Sequence, residues 1–345
     1  MFGTPNAEGR RLLLAHVAFP RDVRMLPYLS GGGVKYLDLV GQLPPYIESA
    51  NLLFAVSSHY TPMLPLLVRV ARKKGVPFIW NQDGAYFPSA YGKKVADKGN
   101  ARMARLLHAA DYVFYQSEFA KIGSDFFLGP REAHSEILYN AVDTTKFKPS
   151  GERPAGLVLL AAGSHNDDYR LPLAMQTLAS VRRVRSDARL IIAGLVPEKD
   201  RRSLRQHLME LGLENAVDWI GAYAPRDAPS IFNRAHVLLH TQYNDVCPTT
   251  VIEAMACGLP VVYSKTGGTP ELVGEDAGYG IGTLLDWYVP HPPAPEALAE
   301  GVCRVADSWS RYSQAARARA VACFDLYPWI ERHKLIFDGL RNHAV

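Results

Sequence analysis

The stretch YNDVCPTTVIEAMACGLPVV (243–262) runs from a polar loop through a short helix-forming segment into an apolar, β-rich run. Pro248 suits the first helical position, where its missing N–H costs nothing, and Gly258 suits the residue that ends a helix. The spacing therefore predicts a helix over about 248–257, followed at once by a buried strand. An acid precedes this helix and another lies inside it. Glu253 sits between Ile252 and Ala254, where a carboxylate needs partners if it is buried; ligand hydroxyls would serve, and so would an exposed face or an ion pair. The amides of Thr249, Thr250 and Val251 open the helix, and unpaired N–H groups with the helix dipole attract phosphate there.

The same pattern extends in both directions. Short β-rich runs, each followed by a turn and a longer amphipathic segment, occur at 12–19, 51–58, 76–82, 111–117 and 135–140. After the polar, Pro-containing stretch 141–156 they restart at 157–163, 188–194, 217–223, 235–241 and 259–265. Such alternation reads as parallel β/α units in two α/β domains, at 1–145 and 146–325, and 326–342 has the spacing of an amphipathic closing helix. Open parallel sheets bind ligands outside the carboxyl ends of their strands, so the polar residues just after each strand are the candidates.

At 345 residues and 48% hydrophobic, the chain can build two cores. Four cysteines, Cys247, Cys257, Cys303 and Cys323, show neither metal-ligand spacing nor a disulfide framework, which fits a reducing compartment. No apolar run reaches bilayer-spanning length, and the opening MFGTPNAEGRRLLLAHVAF lacks the character of a signal peptide. These features predict a cytoplasmic protein, soluble or peripheral to the inner face of the cell membrane. Residues 1–150 hold 18 Lys and Arg against 12 Asp and Glu. Arg69, Arg72, Lys73 and Lys74, then Lys93, Lys94, Lys98, Arg102 and Arg105, suit either an anionic membrane or ordinary solvated helix faces.

The segment YNDVCPTTVIEAMACGLPVVYSKTGGTPELVG resembles the donor-binding segment of family 4 retaining glycosyltransferases, which have the GT-B architecture of two Rossmann-like domains facing across a cleft. NAVDTTKFKP, LIIAGLVPE and LGLENAVDWIGAY extend the resemblance over 138–285. It implies that Glu253 holds the ribose hydroxyls of a nucleotide. Asp245, standing where the family has a longer glutamate, would contact the transferred sugar. The family also places an arginine and a lysine six residues apart to neutralise the diphosphate; here those positions hold Ser164 and Arg170. His165, beside Ser164, adds charge only if protonated.

The first domain matches less well, and from Gly33 to Asn51 there is room for one helix only, so it reads as abbreviated. Gly31, Gly32 and Gly33 in SGGGVKY would allow a backbone to approach the donor phosphate. Gln82 or Asp83 occupies the place of a family histidine, and His59 lies in another strand-end loop. These three, with Tyr86 and its neighbours Phe87 and Tyr91, are candidate acceptor contacts; loop packing is the alternative for the aromatics.

The resemblance implies retaining transfer from a nucleoside-diphosphate sugar to a carbohydrate or lipid-linked hydroxyl, with no metal, no other cofactor and no nucleic acid. The leaving phosphate itself takes the acceptor proton. A catalytically weakened nucleotide-sugar- or glycan-binding homologue and a GT-B-type sugar-nucleotide epimerase remain as alternatives. A Rossmann oxidoreductase is disfavoured, because no strand is followed by GxGxxG with an acid about twenty residues on.

Overall fold

A computed structural model of the chain describes residues 14–15, 51–60, 62–151 and 153–342. The chain divides into two compact units, residues 1–140 with 326–345, and residues 141–325.

In the first unit the elements are β1 (Leu14–Ala15), β2 (Leu52–Val56), α1 (Leu64–Lys73), β3 (Phe78–Gln82), α2 (Pro88–Tyr91), α3 (Lys93–Ala109), β4 (Tyr112–Tyr115), α4 (Glu118–Leu128) and β5 (Ser135–Ile137). The five strands form a parallel sheet in the order β1-β2-β3-β4-β5. Every residue of β2 and β3 is buried, as expected of parallel strands covered on both faces. The candidate glycines Gly31, Gly32 and Gly33, and the abbreviated stretch after them, lie outside the described residues.

The second unit contains β6 (Val158–Ala162), α5 (Arg170–Arg182), β7 (Arg189–Ala193), α6 (Arg201–Glu210), β8 (Val217–Gly221), α7 (Ala228–Phe232), β9 (Val237–His240), α8 (Thr249–Ala256), β10 (Val261–Ser264), α9 (Thr269–Val273), β11 (Gly278–Ile281), α10 (Pro295–Asp307) and α11 (Trp309–Cys323). Its parallel sheet has the order β11-β10-β9-β6-β7-β8. The chain steps outward from β6 through β8, then returns to the other side of β6 with β9. In such sheets a reversal of this kind marks the crevice between the two loops, here those after β6 and β9, as the usual ligand position. Leu159, Leu190, Ile192, Leu239 and Val262 from the sheet pack with Leu178, Leu298 and Val302 from the helices to make the core.

The pattern of apolar runs does not predict β11, whose sequence GYGI carries two glycines in four residues. The glycine that weakens the strand signal also permits the pairing, since a Cβ on Gly278 would lie 2.1 Å from the Val261 carbonyl oxygen. The closing helix α12 (Leu326–Asn342) belongs to the first unit. There His333 stacks 4.5 Å from Phe114, Phe337 lies 5.6 Å from Phe54, and Arg332 forks onto Glu136.

Candidate active site

Glycine brings the strand ends of the second unit together. The Gly163 amide donates to Ala193 at 3.1 Å, and the Gly194 amide donates to Gly221 at 2.7 Å. Gly194 has φ +122, and a Cβ there would meet the Gly163 oxygen at 1.9 Å, so no larger residue fits. On the other side of the crevice, Thr250 Oγ1 lies 3.4 Å from where a Cβ on Gly163 would stand. The loop after β6 and the start of α8 are thus neighbours.

Helix α8 is shorter than the spacing predicts. Pro248 is its N-cap, with φ −66 and ψ 110, rather than its first helical residue. The Val251 amide donates to the Pro248 carbonyl at 3.0 Å, which removes it from the expected phosphate-binding set and leaves Thr249 and Thr250 at the helix entrance. Val251, Ile252, Ala254, Met255 and Ala256 are buried. Thr249, Thr250 and Glu253 are half-buried, and Thr249 and Thr250, four and three residues before Glu253, lie on its side of the helix. Glu253 therefore lies neither in the core nor on a solvated face.

Asp245 is held by its backbone. Asn244 before it has φ 51, the one non-glycine residue with positive φ among those described. The Asn244 side chain donates to the Asp286 carbonyl at 2.8 Å, and the Asp286 amide donates to the Tyr243 hydroxyl at 2.7 Å. From the TGGTPE loop, the Gly268 amide donates to the Asp245 carbonyl at 2.8 Å. Gly267, at φ +74, packs so closely that a Cβ would be 2.3 Å from the Asp245 oxygen. The carboxylate is left 29% exposed, with Oδ2 3.3 Å from Nε2 of His240. His240, the last residue of β9 and 3% exposed, is a neighbour of Asp245 that the motif spacing does not reveal. As a polar residue at the end of an apolar strand, it nonetheless carries a signal that could find it.

Two further bonds cross the crevice. Gln242 Nε2 donates to Asp167 Oδ2 at 2.6 Å, and the Tyr243 amide donates to the Tyr169 hydroxyl at 2.9 Å. Arg170, at the start of α5, is only 5% exposed. One end of its fork donates to the Ser164 carbonyl, so the two residues at the expected diphosphate positions contact each other. His165 cannot supply the missing charge. A carbonyl only accepts, so its Nε2 carries a proton donated to Ala193 O at 3.2 Å, and burial together with Arg170 lowers its pKa to about 3. The imidazole is neutral at physiological pH.

In the first unit the predicted acceptor residues separate. Gln82 is 0% exposed; its carbonyl accepts from Trp80 Nε1 and its amide donates to Gly84 O and Met103 Sδ. With its polar atoms engaged internally, it is not an acceptor contact. Phe87 is buried too, 5.7 Å from Phe119 and 5.9 Å from Phe127. Tyr86 is half-buried, its ring against Gly99 and 4.8 Å from Tyr91, with its backbone bonded to Asn100. His59 and Asp83 share a network: Asn81 and the Ser58 hydroxyl both donate to the Asp83 carboxylate. Since that hydroxyl has one proton, His59 Nδ1–H must donate to Ser58 Oγ at 2.8 Å. Burial lowers the His59 pKa, against the opposing effect of Asp83.

Two parallel Rossmann-like sheets, with Asp245 and the start of α8 following strand β9 of the second, are the fold of the GT-B glycosyltransferase class. The chain belongs to the family described as glycosyl transferases group 1, whose profile matches residues 142–320. Among curated relatives, it is 26% identical over 194 residues to a phosphatidylinositol N-acetylglucosaminyltransferase subunit of Arabidopsis thaliana, covering 54% of this chain and 42% of that one. It is 24% identical over 251 residues to a GDP-mannose-dependent alpha-(1-6)-phosphatidylinositol dimannoside mannosyltransferase of Mycobacterium tuberculosis, covering 71% and 61%. The chain spans about half the length of the curated relatives it matches. Among solved structures, Anabaena HepE in complex with UDP-glucose superposes with a TM-score of 0.71 at 17% identity, covering 95% of this chain and 99% of that one. Sucrose-phosphate synthase from Thermosynechococcus elongatus gives 0.67 at 18% identity, covering 93% and 80%. At these identities the superpositions establish the shared fold.

Proposed function

We propose that the chain is a retaining glycosyltransferase of family 4 that moves a sugar from a nucleoside-diphosphate sugar to an acceptor hydroxyl without a metal. One observation carries this reading: Thr250 at the start of α8 lies against the Gly163 loop after β6, with Glu253 one turn further along the same side of that helix. Glu253 would hold the ribose hydroxyls, the helix entrance and Arg170 the diphosphate, with Ser164 beside it, and Asp245 the transferred sugar. Cleavage of the anomeric C–O bond places negative charge on the diphosphate, and preorganised donors at that point stabilise the transition state. The departing phosphate oxygen takes the proton of the acceptor hydroxyl as the new glycosidic bond forms on the same face. A thermal-shift screen against UDP-, GDP- and ADP-sugars, followed by a transfer assay with the best binder, tests the reading. Absence of binding to all three would reject it.

Glu253→Ala should cost about 1–3 kcal/mol of nucleoside-diphosphate affinity, because the ribose loses charge-assisted hydrogen bonds. Isothermal titration with the free diphosphate reads this directly, and unchanged affinity would remove Glu253 from the ribose. Transfer should also persist in excess EDTA, since Arg170 and the helix entrance supply the positive field a divalent ion supplies elsewhere. A requirement for added Mn²⁺ or Mg²⁺ would overturn the metal-free assignment.

The acceptor would meet the first unit, with His59, Asp83 and Tyr86 as contacts. The activities of two relatives, as their names give them, involve phosphatidylinositol-based molecules, which favours a lipid-linked substrate and a cytoplasmic protein peripheral to the membrane. No helix among the described residues is long and apolar enough to cross a membrane. Helix α1, however, exposes Leu66 and Val70 in line with Met63 just before it, and Arg69, Lys73 and Lys74 flank that stripe. Apolar side chains with a basic border suit an anionic bilayer surface. Liposome flotation at low salt should show a preference for anionic vesicles that weakens in Lys73→Glu/Lys74→Glu; equal partition to neutral vesicles would remove the membrane contact.

A further inference from the structure

The proposed chemistry leaves one buried titratable side chain beside Asp245 without a role. His240 closes β9 at the crevice, is buried, and has neither ring nitrogen in an aligned hydrogen bond among the described residues. Buried polar groups are nearly always partnered, so an imidazole kept in such a place calls for a reason. The Asp245 carboxylate stands beside it, at 3.3 Å from Nε2 to Oδ2. The other charged or titratable groups here come from the loop after β6 and the start of α5. His165 is neutral and bonded to Ala193, Tyr169 takes the Tyr243 amide, and Arg170 is engaged with Ser164. Tyr169 is close enough for the Asp245 charge to act on its hydroxyl, which leaves His240 as the side chain standing directly behind Oδ2.

We propose that His240 is a positioning residue for Asp245. Its Nε2 faces Oδ2 from behind, and when the hydroxyls of the transferred sugar engage Oδ1 the Nε2–H comes into line to donate to Oδ2 and hold the carboxylate in that direction. This rests on the reading of Asp245 as the sugar-binding acid. An aspartate has one fewer rotatable bond than the family's glutamate and shorter reach, so its direction must be set from behind. His240 sets it from β9, while Gly268 and Asn244 fix the backbone. A rigid ring on a strand holds this geometry better than a second loop residue would.

The experiment compares His240→Phe, which keeps the ring without a donor, with His240→Gln, whose amide N–H can occupy the Nε2 position. His240→Phe should lower kcat by about ten- to a hundredfold, the scale of a misdirected contact, with nucleoside-diphosphate affinity unchanged. His240→Gln should recover most of that loss. In an Asp245→Asn background, His240→Phe should add less than about twofold, because residues acting as one unit are not additive. Equal losses in both backgrounds, or no recovery with glutamine, would overturn the proposal. Nitrogen-15 NMR of histidine-labelled wild-type protein gives a readout that needs no turnover: the Nε2–H tautomer is expected for His240, and the Nδ1–H tautomer would overturn the proposal. If wild type transfers sugar from none of the UDP-, GDP- and ADP-donors, the transferase reading fails, while the NMR result still decides the His240–Asp245 contact.

Discussion

Gly267→Ala is expected to reduce sugar transfer by a factor on the order of a hundred or more while leaving nucleoside-diphosphate binding near wild type. A Cβ at this position would stand 2.3 Å from the Asp245 carbonyl oxygen and 2.8 Å from its nitrogen, both backbone atoms that cannot swing aside as a side chain can. The backbone also has φ +74, which a residue with a Cβ adopts at a cost of about 1–2 kcal/mol. The loop and Asp245 must therefore separate, which breaks the Gly268 to Asp245 bond and turns the carboxylate away from the sugar. Glu253 is set on α8 by its own helix, so the ribose contact should survive. Titration with nucleoside diphosphate alongside transfer kinetics separates the two effects. A kcat within about threefold of wild type, with the fold intact by circular dichroism, would mean that Asp245 does not act on the sugar.

That coupling explains why part of the site is legible in sequence and part is not. EAMACGLPVV announces helix, turn and buried strand because each residue type obeys a local rule: Gly258 takes φ +74 where the helix ends, and the residues of β10 are buried on both faces. Asp245 and Glu253 are close in sequence, on the loop after β9 and the helix α8 that follows it, so their order along the chain is legible directly. His240 reaches Asp245 only because the loop folds back through the left-handed Asn244, a turn set by Thr266, Gly267 and Asp286 more than twenty residues away. Gln82 misleads for the opposite reason. It follows a strand as a ligand residue should, but Trp80 and Met103 claim its side chain, and neither bond shows in one-dimensional spacing. The Val251 amide is lost to a shift of one residue in the helix start, the least predictable feature of any helix.

Arg170 and Asp245 should separate kinetically, since one answers charge on the leaving diphosphate and the other the shape of the sugar. Arg170→Ala should lower kcat by a factor on the order of a hundred or more, because charge stabilisation that grows as the anomeric bond breaks is lost. Arg170 is buried and bonded to Ser164, so alanine also leaves a gap and an unpaired carbonyl, at about 1–3 kcal/mol of stability. Arg170→Met fills the gap without charge; a similar kcat loss in this variant assigns the effect to the guanidinium rather than to the fold. Asp245→Asn keeps the shape and weakens the charge-assisted bonds, so it should chiefly change which donor sugar is accepted, with nucleoside-diphosphate affinity unchanged. Asp245→Glu probes the missing methylene. With His240 packed behind Oδ2 at 3.3 Å, the longer acid has no room to retreat, and lower activity is expected. Higher activity would mean that the shorter acid is a weakening of the site rather than a fitted part of it. If Arg170→Met and Asp245→Asn both leave a verified transfer activity unchanged, donor chemistry does not take place in this crevice.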